Sequence, residues 1–324
     1  MTSLSGDIAA IETIKSSLQR LSSIIHDESR SPAPHLCINF CASEAIYITI
    51  SRVGWMCRNE NVLREAIGVF SALVDSEEDD FVDNKDFAVS MTALVEKTIS
   101  TGNIVINLDI VGETVELLFG IAAKIRLQPE ILPIWFNPSK SRQDPGGHPN
   151  SDADFLGVTQ KEDFPLCYHL IEHLHHEGRI GDFARTGLLY IFETASSSGG
   201  LEDWLVDSDI PTMMATGLGA LYSQLSRYTR LHSRMEIMLT AFTRKISILH
   251  PVEDMPIALT LSDSAGNLDH EGAVNVFSKD LQLHLNTFLS YLTFWQDLLQ
   301  LCNSVSIKQA LLDHLKVLFL QQLL

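Results

Sequence analysis

Apolar positions recur every three or four residues along almost the whole chain, and the two-residue alternation of a half-buried strand is scarce. Ile8, Ile11, Leu18, Leu21 and Ile25 sketch an opening amphipathic helix behind the cap-like Ser5 or Asp7. The pattern predicts helices over 36–57 and over 61–74, the latter through Val62, Leu63, Ile67, Phe70 and Val74. After an acidic connection come helices near 86–100 and 110–126, then a short one ending in "EILPIWF". Others follow at 163–177, 182–195 and 210–225. Residues 226–249 keep a helical pattern, and two last helices lie near 276–302 and 305–323.

Two stretches break this rhythm. Residues 137–162, "NPSKSRQDPGGHPNSDADFLGVTQKE", are rich in Pro, Gly, Ser and charge, and 251–272, with "LSDSAGNLDHEG", are alike. Both read as long irregular loops. Elsewhere, helices of about 12–20 residues joined by short turns predict an all-α chain. The expected architecture is one α-solenoid domain over 1–324, made of divergent armadillo- or HEAT-like helix pairs, since no strict repeat recurs. Its end, "IKQALLDHLKVLFLQQLL", stays apolar to the last residue. A solenoid needs a polar outer face on its terminal repeat. Leu318, Phe319, Leu323 and Leu324 therefore predict either a longer architecture or a partner covering this end.

Composition narrows the functional classes. The chain has 324 residues, 45% hydrophobic and 20% charged, which is a folded rather than a disordered composition. The net charge is −18 and no cluster of Lys and Arg offers a stripe for phosphates, which argues against nucleic-acid binding. Five scattered cysteines, an odd number, read as reduced thiols in a cytosolic core, and Cys37-x-x-x-Cys41 has no second pair to complete a zinc site. The opening "MTSLSGDIAAIETIKSS" lacks the basic-then-apolar order of a signal peptide. No uncharged stretch reaches the ~18 residues of a bilayer span, so any membrane association is expected to be peripheral.

One segment has the spacing of a metal site. "HLIEHLHHEG", residues 169–178, sets His169, Glu172 and His173 as His-x-x-Glu-His, a zinc-peptidase pattern. On a helix over 166–177, Cys167, Leu170, Ile171 and Leu174 share one face, while His169, His173 and His176 share the other. The expectation is that these histidines face water and Leu170, Ile171 and Leu174 are buried. A catalytic zinc needs a third protein ligand and a partly dry cavity, so a zinc hydrolase is the alternative reading and a solvated polar face the preferred one. Other candidates are weaker still. "DSEEDDFVDNKD", residues 75–86, lacks the turn glycine and final glutamate of an EF-hand loop. Gly217 and Gly219 lack the third glycine and preceding strand of a dinucleotide site, and are read as permitting close helix contact. No cofactor, metal or catalytic residue is predicted.

The stretch after the histidines, "HEGRIGDFARTGLLYIFE", reads locally as a tight helical hairpin. Gly178 can end one helix in a left-handed cap, Asp182 can cap the next, and Arg185 lies within reach of Asp182. Phe183, Gly187, Leu188 and Ile191 then form a buried face. "FPLCYHLIEHLHHEGRIGDFARTGLLYIFE" and the later "ATGLGALYSQLSR" closely resemble the FTS- and Hook-interacting (FHIP) proteins, a retinoic-acid-induced-like family. The motif positions are Gly178, Arg179, Gly181, Asp182, Phe183, Arg185, Gly187, Gly217 and Gly219. "FSALVDSEEDDFVDNKDFAVSM", "PEILPIWF" and "LLDHLKVLFLQQLL" are similar to flanking family segments, in a family whose solenoid continues past this chain's end. The resemblance implies a non-enzymatic scaffold, cytoplasmic and peripheral on early endosomes. Its implied partners are FTS, a Hook-type coiled-coil adaptor and an early-endosomal Rab GTPase, in a complex linking dynein–dynactin to endosomes. It implies membrane attachment only through partners. A truncated helical scaffold with no independent function is the remaining alternative.

Overall fold

The structure is a computed structural model, and it describes residues 2–57, 59–76, 81–99, 107–138, 161–228 and 279–321. Among these residues it is all-α, with no strand. The helices are α1 (Thr2–Ser29), α2 (Leu36–Ser43), α3 (Ile46–Met56), α4 (Glu60–Asp75), α5 (Lys85–Ile99) and α6 (Leu108–Leu127). A 3-10 turn at Pro129–Ile131 leads into α7 (Leu132–Trp135), and another at Lys161–Asp163 precedes α8 (Pro165–Glu172). Then come α9 (Gly178–Ala195), α10 (Gly199–Asp207), α11 (Ile210–Tyr228), α12 (Lys279–Leu301) and α13 (Val305–His314), with a π-helical turn at Leu315–Leu320. The expected loop at 251–272, nearly all of that at 137–162 and most of the helical pattern at 226–249 lie outside the described residues.

The helix expected over 36–57 is two helices, bent by 74°. They meet at Ala45, which takes a left-handed φ of 46°. An unbroken helix could turn only one stripe inward, whereas the bend lets Ile38 and Cys41 of α2 and Tyr47, Ile50 and Gly54 of α3 all be buried. Glu28, near the end of α1, fixes the elbow by accepting from the N–H groups of Cys37 (3.0 Å) and Ile38 (2.8 Å) at the start of α2. A side-chain acceptor there satisfies amides that no helical carbonyl can reach.

The described residues form two compact units. The first lies within Met1–Pro149, Gln160–His173 and Asp182–Thr194. Its α1, α4, α6 and residues 182–194 of α9 make one row of parallel helices, as their register shows. Between α1 and α4, Gln19 donates to Glu65 (2.6 Å) and Ser22 to the Gly68 carbonyl (3.4 Å). Between α4 and α6, Arg64 donates to Glu113 (2.8 Å), and Val74 lies over Gly120. Between α6 and α9, Phe119 stacks on Phe183 (5.0 Å) and Arg126 donates to Glu193 (2.7 Å). In every pair both numbers rise together. A second row repeats the rule, because the Tyr47 ring of α3 meets Phe87 of α5 (5.2 Å) and the Ser51 hydroxyl donates to the Ser90 carbonyl (2.6 Å). Like-directed helices in each of two rows are what stacked αα units produce, and the fold is solenoid-like.

A helix inside such a stack is covered on several sides. In α4 that demand buries Val62, Leu63, Ala66, Ile67, Val69, Phe70, Ala72, Leu73 and Val74. Asn59 caps its start by accepting from the amides of Asn61 (3.0 Å) and Val62 (3.3 Å).

The second unit lies within Asn150–Thr159, Leu174–Gly181 and Ala195–Leu324. Its core gathers Phe288, Tyr291 and Trp295 of α12 with Leu218 of α11 and Phe319 of the π turn, all buried. The Tyr291 hydroxyl donates to the Met214 carbonyl (3.1 Å). Ser304 caps α13 through the Ile307 amide (3.1 Å) and donates to Glu202 of α10 (2.6 Å). Phe319 is thus not an apolar face awaiting cover. It packs edge-on to Tyr222 of α11 (6.1 Å), inside its own unit. Leu318 is half-buried, and Leu323 and Leu324 lie outside the described residues.

Close approach in the second row rests on Gly54. A Cβ there would stand 2.6 Å from Leu94 Cδ1 and 3.2 Å from Ala66 Cβ. At Gly68 nothing lies within 4 Å. Gly54→Ala is expected to lower the urea-unfolding free energy by about 1–3 kcal/mol through overpacking, while Gly68→Ala should raise it by about 0.5–1 kcal/mol through helix propensity.

Candidate functional site

The motif residues divide between structural and exposed roles. Gly178 takes φ +60°, a backbone that favours glycine, but it does not end a helix as expected, because α8 stops at Glu172 and α9 begins at Gly178. The expected cap at Asp182 is not formed. Asp182 lies inside α9, one turn after its start, and accepts from Arg185 (2.7 Å) as expected for that ion pair. The helix starts at Gly178, four residues earlier than expected, so Asp182 stands inside it and has no helix start to cap. Arg185 is buried, Arg179 is exposed and Gly181 is buried.

The buried face of α9 is Ala184, Leu188, Ile191 and Phe192, joined by Gly187. Phe183 is only half-buried, stacked on Phe119 at the edge of the parallel row. Gly187 is a true close-approach point, since a Cβ there would lie 3.2 Å from Leu170 and 3.5 Å from the Phe119 backbone. Gly217 is another, with the Tyr291 hydroxyl 3.2 Å from where its Cβ would be. Gly219 is not, because nothing lies within 4 Å of it.

The histidines sit differently from the expectation. Leu170, Ile171 and Leu174 are buried, but so are His169 (1% exposed) and His173 (8%). His176 is half-buried. The helical wheel drawn through 177 is too long, because α8 stops at Glu172 and the His173 amide closes back on the Leu170 carbonyl (3.1 Å). From Leu166 to Ile171 every residue of α8 is buried, so the helix has no watered face to give His169. His169 Nδ1 instead faces Glu172 (3.4 Å), which also accepts from Lys161 (3.1 Å), while the His169 Nε2 is buried with no hydrogen-bond partner among the described residues. Burial works against the Glu172 charge, but the hydrogen bonds from His169 and Lys161 outweigh it and hold the carboxyl below its ordinary range. Among the described residues no group of three or more His, Cys, Asp or Glu is disposed to hold a metal ion.

A different feature of the first unit has the shape of a binding site. Between α1, α4 and α6 lies a groove of about 360 Å³, lined by His26, Asp75, Glu113, Glu116, Ile67 and Phe119 among others. Burial, with Glu116 nearby, pushes the Asp75 carboxyl above its ordinary range against the pull of His26 and Lys124. The row carries cross-helix pairs at half-exposed positions. Arg64 meets Glu113, and Arg126 meets Glu193 while covering the Tyr190 ring at 4.6 Å. The groove lining mixes Ile67, Val74 and Leu117 with Asp75, Glu113 and Glu116, a combination suited to an amphipathic peptide segment. Nothing in the sequence pattern flagged this groove, since its walls come from three helices up to about a hundred residues apart.

A family model described as RAI16-like, Retinoic acid induced 16-like protein, matches residues 37–324. The chain belongs to the RAI16-like family. That family includes FHIP-type proteins, so the likeness carried by the central motif is upheld. The RAI16-like match begins in α2, so α1, which supplies Ser22 and His26 to the groove, precedes it. A search of curated proteins finds no match. RAI16-like proteins are not a known enzyme family.

Two expectations follow. Leu188→Ala is expected to cost about 2–5 kcal/mol by opening a core cavity, and Phe183→Ala only about 1–2 kcal/mol, for a half-exposed ring and its stacking. Urea unfolding of both variants checks the order. The second concerns acid. A carboxylate whose folded pKa lies below its unfolded one stabilises the fold above the unfolded value, about 4.3, and loses that contribution as pH falls through the folded value. Glu172→Gln should therefore be less stable than wild type by about 0.5–1 kcal/mol near neutrality, and the two urea midpoints should converge as the pH is taken below 4.3 or so.

Proposed function

We propose that this chain is a non-enzymatic adaptor scaffold of the FHIP type. It holds FTS and a Hook-type coiled coil, engages an early-endosomal Rab GTPase, and so links dynein–dynactin to early endosomes from the cytoplasm. The observation that carries this reading is the RAI16-like match over residues 37–324. The geometry supports it, because stacked parallel helices offer long, rigid edges, and the groove between α1, α4 and α6 is suited to a helical segment of a partner.

The zinc-hydrolase alternative loses its basis. His169 and His173 are buried, Glu172 is engaged by Lys161 and His169, and no third ligand converges on them among the described residues.

The test is affinity purification of the tagged chain from cells, read by mass spectrometry. Hook and FTS proteins should be recovered with wild type. Arg126→Glu, at the half-exposed edge of the row between α6 and α9, is expected to lower recovery several-fold with the melting temperature within a few degrees of wild type, as for a surface change. Leu188→Ala should lower recovery and abundance together. Recovery of neither partner by well-folded wild type would overturn the reading.

A further inference from the structure

The α2–α3 elbow exposes large apolar side chains that no part of the described structure covers. On α2, Leu36 (69% exposed) and Phe40 (57%) stand one turn apart. On α3, Ile48, Arg52 and Trp55 (44%) recur at helical spacing on one face, with Met56 (62%) beside them. The opposite faces are fixed in the first unit by Ile38, Cys41, Tyr47, Ile50 and Gly54, and Glu28 pins the start of α2. The exposed faces are thus held outward by a rigid support.

Arginines accompany these apolar side chains. Over residues 27–60 Arg30, Arg52 and Arg58 stand with Asp27, Glu28, Glu44 and Glu60, and Glu28 is turned onto the α2 amides. Arg30 and Arg52 are exposed and enter no ion pair among the described residues. Aromatic and aliphatic side chains beside unpaired arginines are the chemistry of an interfacial membrane contact, where rings reach the acyl boundary and guanidinium groups meet anionic headgroups. No single helix among the described residues is long and apolar enough to cross a membrane. The α2–α3 pair has the hydropathy of such a segment, but it is broken by its bend and buried on one side, so it can lie on a bilayer and not span one.

We propose that the α2–α3 elbow is a direct membrane-docking surface. It seats Leu36, Phe40, Trp55 and Met56 in the headgroup–acyl boundary of an anionic bilayer, with Arg30 and Arg52 on its headgroups. This adds a lipid contact to attachment through partners and stands independently of the adaptor reading.

The tryptophans make it measurable. Trp135, Trp204 and Trp295 are buried, which leaves Trp55 as the exposed one of four. The purified full chain is mixed with vesicles of phosphatidylcholine alone or with about 30% phosphatidylserine, and followed by flotation and tryptophan emission. The expected result is flotation with the anionic vesicles, a blue shift on binding, and weakening by salt. Leu36→Glu with Phe40→Glu, and separately Arg52→Glu, should reduce binding roughly tenfold or more. Leu127→Glu, at another exposed apolar position (75%), should not. Circular-dichroism melts establish that each variant is folded. Failure of folded wild type to float with anionic vesicles overturns the proposal, as does binding unchanged by the elbow variants. If those variants instead abolish self-association or partner capture, with no vesicle binding by wild type, the elbow is a protein interface and the proposal fails. Partner capture in vesicle-free extract is scored separately, so either reading can fail alone.

Discussion

The fold of the first unit depends on apolar contact between parallel helices in a row. Inside the row, α4 and α6 must each be apolar toward the neighbour before, the neighbour after and the opposite row. That requirement explains why α4 buries residues around most of its circumference and why its polar side chains are confined to a narrow strip. It also explains where glycines cannot be replaced freely. Gly54 and Gly187 sit where a neighbouring side chain has taken the volume of a Cβ, whereas Gly68 and Gly219 lie on open flanks.

The narrow polar strip is where the cross-helix pairs appear. Gln19–Glu65, Arg64–Glu113 and Arg126–Glu193 join successive helices of the row. Exposed pairs of this kind contribute about 0–1 kcal/mol each, so they do not hold the row together. Their effect is on register, because a charged pair tolerates less sliding than a greasy contact does. The groove opens between α1, α4 and α6, the helices that the first two of these pairs join.

The histidine cluster shows how a motif with metal spacing can be absorbed into packing. A zinc site needs several ligands aimed at one point with room for the ion. Here α8 is short and buried from Leu166 to Ile171, and His169 faces Glu172, which accepts from Lys161, in a chain of polar contacts leading from the buried helix to its rim. The left-handed Gly178 then starts α9. The segment that carries the family likeness is therefore mainly a junction, and binding surfaces are better sought on the outer edge of the row and on the elbow between α2 and α3.

Periodicity alone determined the all-α class, most helix positions and the buried identity of residues such as Ile67, Phe70, Leu170 and Leu188, because an amphipathic stripe is a local property of the chain. The Asp182–Arg185 pair was legible for the same reason, being one helical turn apart. The FHIP likeness was legible from residue order in the central segment. Tertiary structure decided everything that depends on what stands opposite a helix. It broke 36–57 at Ala45, buried His169 and His173, left Phe183 half-exposed, and drew Phe319 into a core. It alone made the groove of α1, α4 and α6, whose walls are distant in sequence. A helical period says which residues share a face. Whether that face meets water, another helix or a cavity depends on neighbours that the local pattern does not contain.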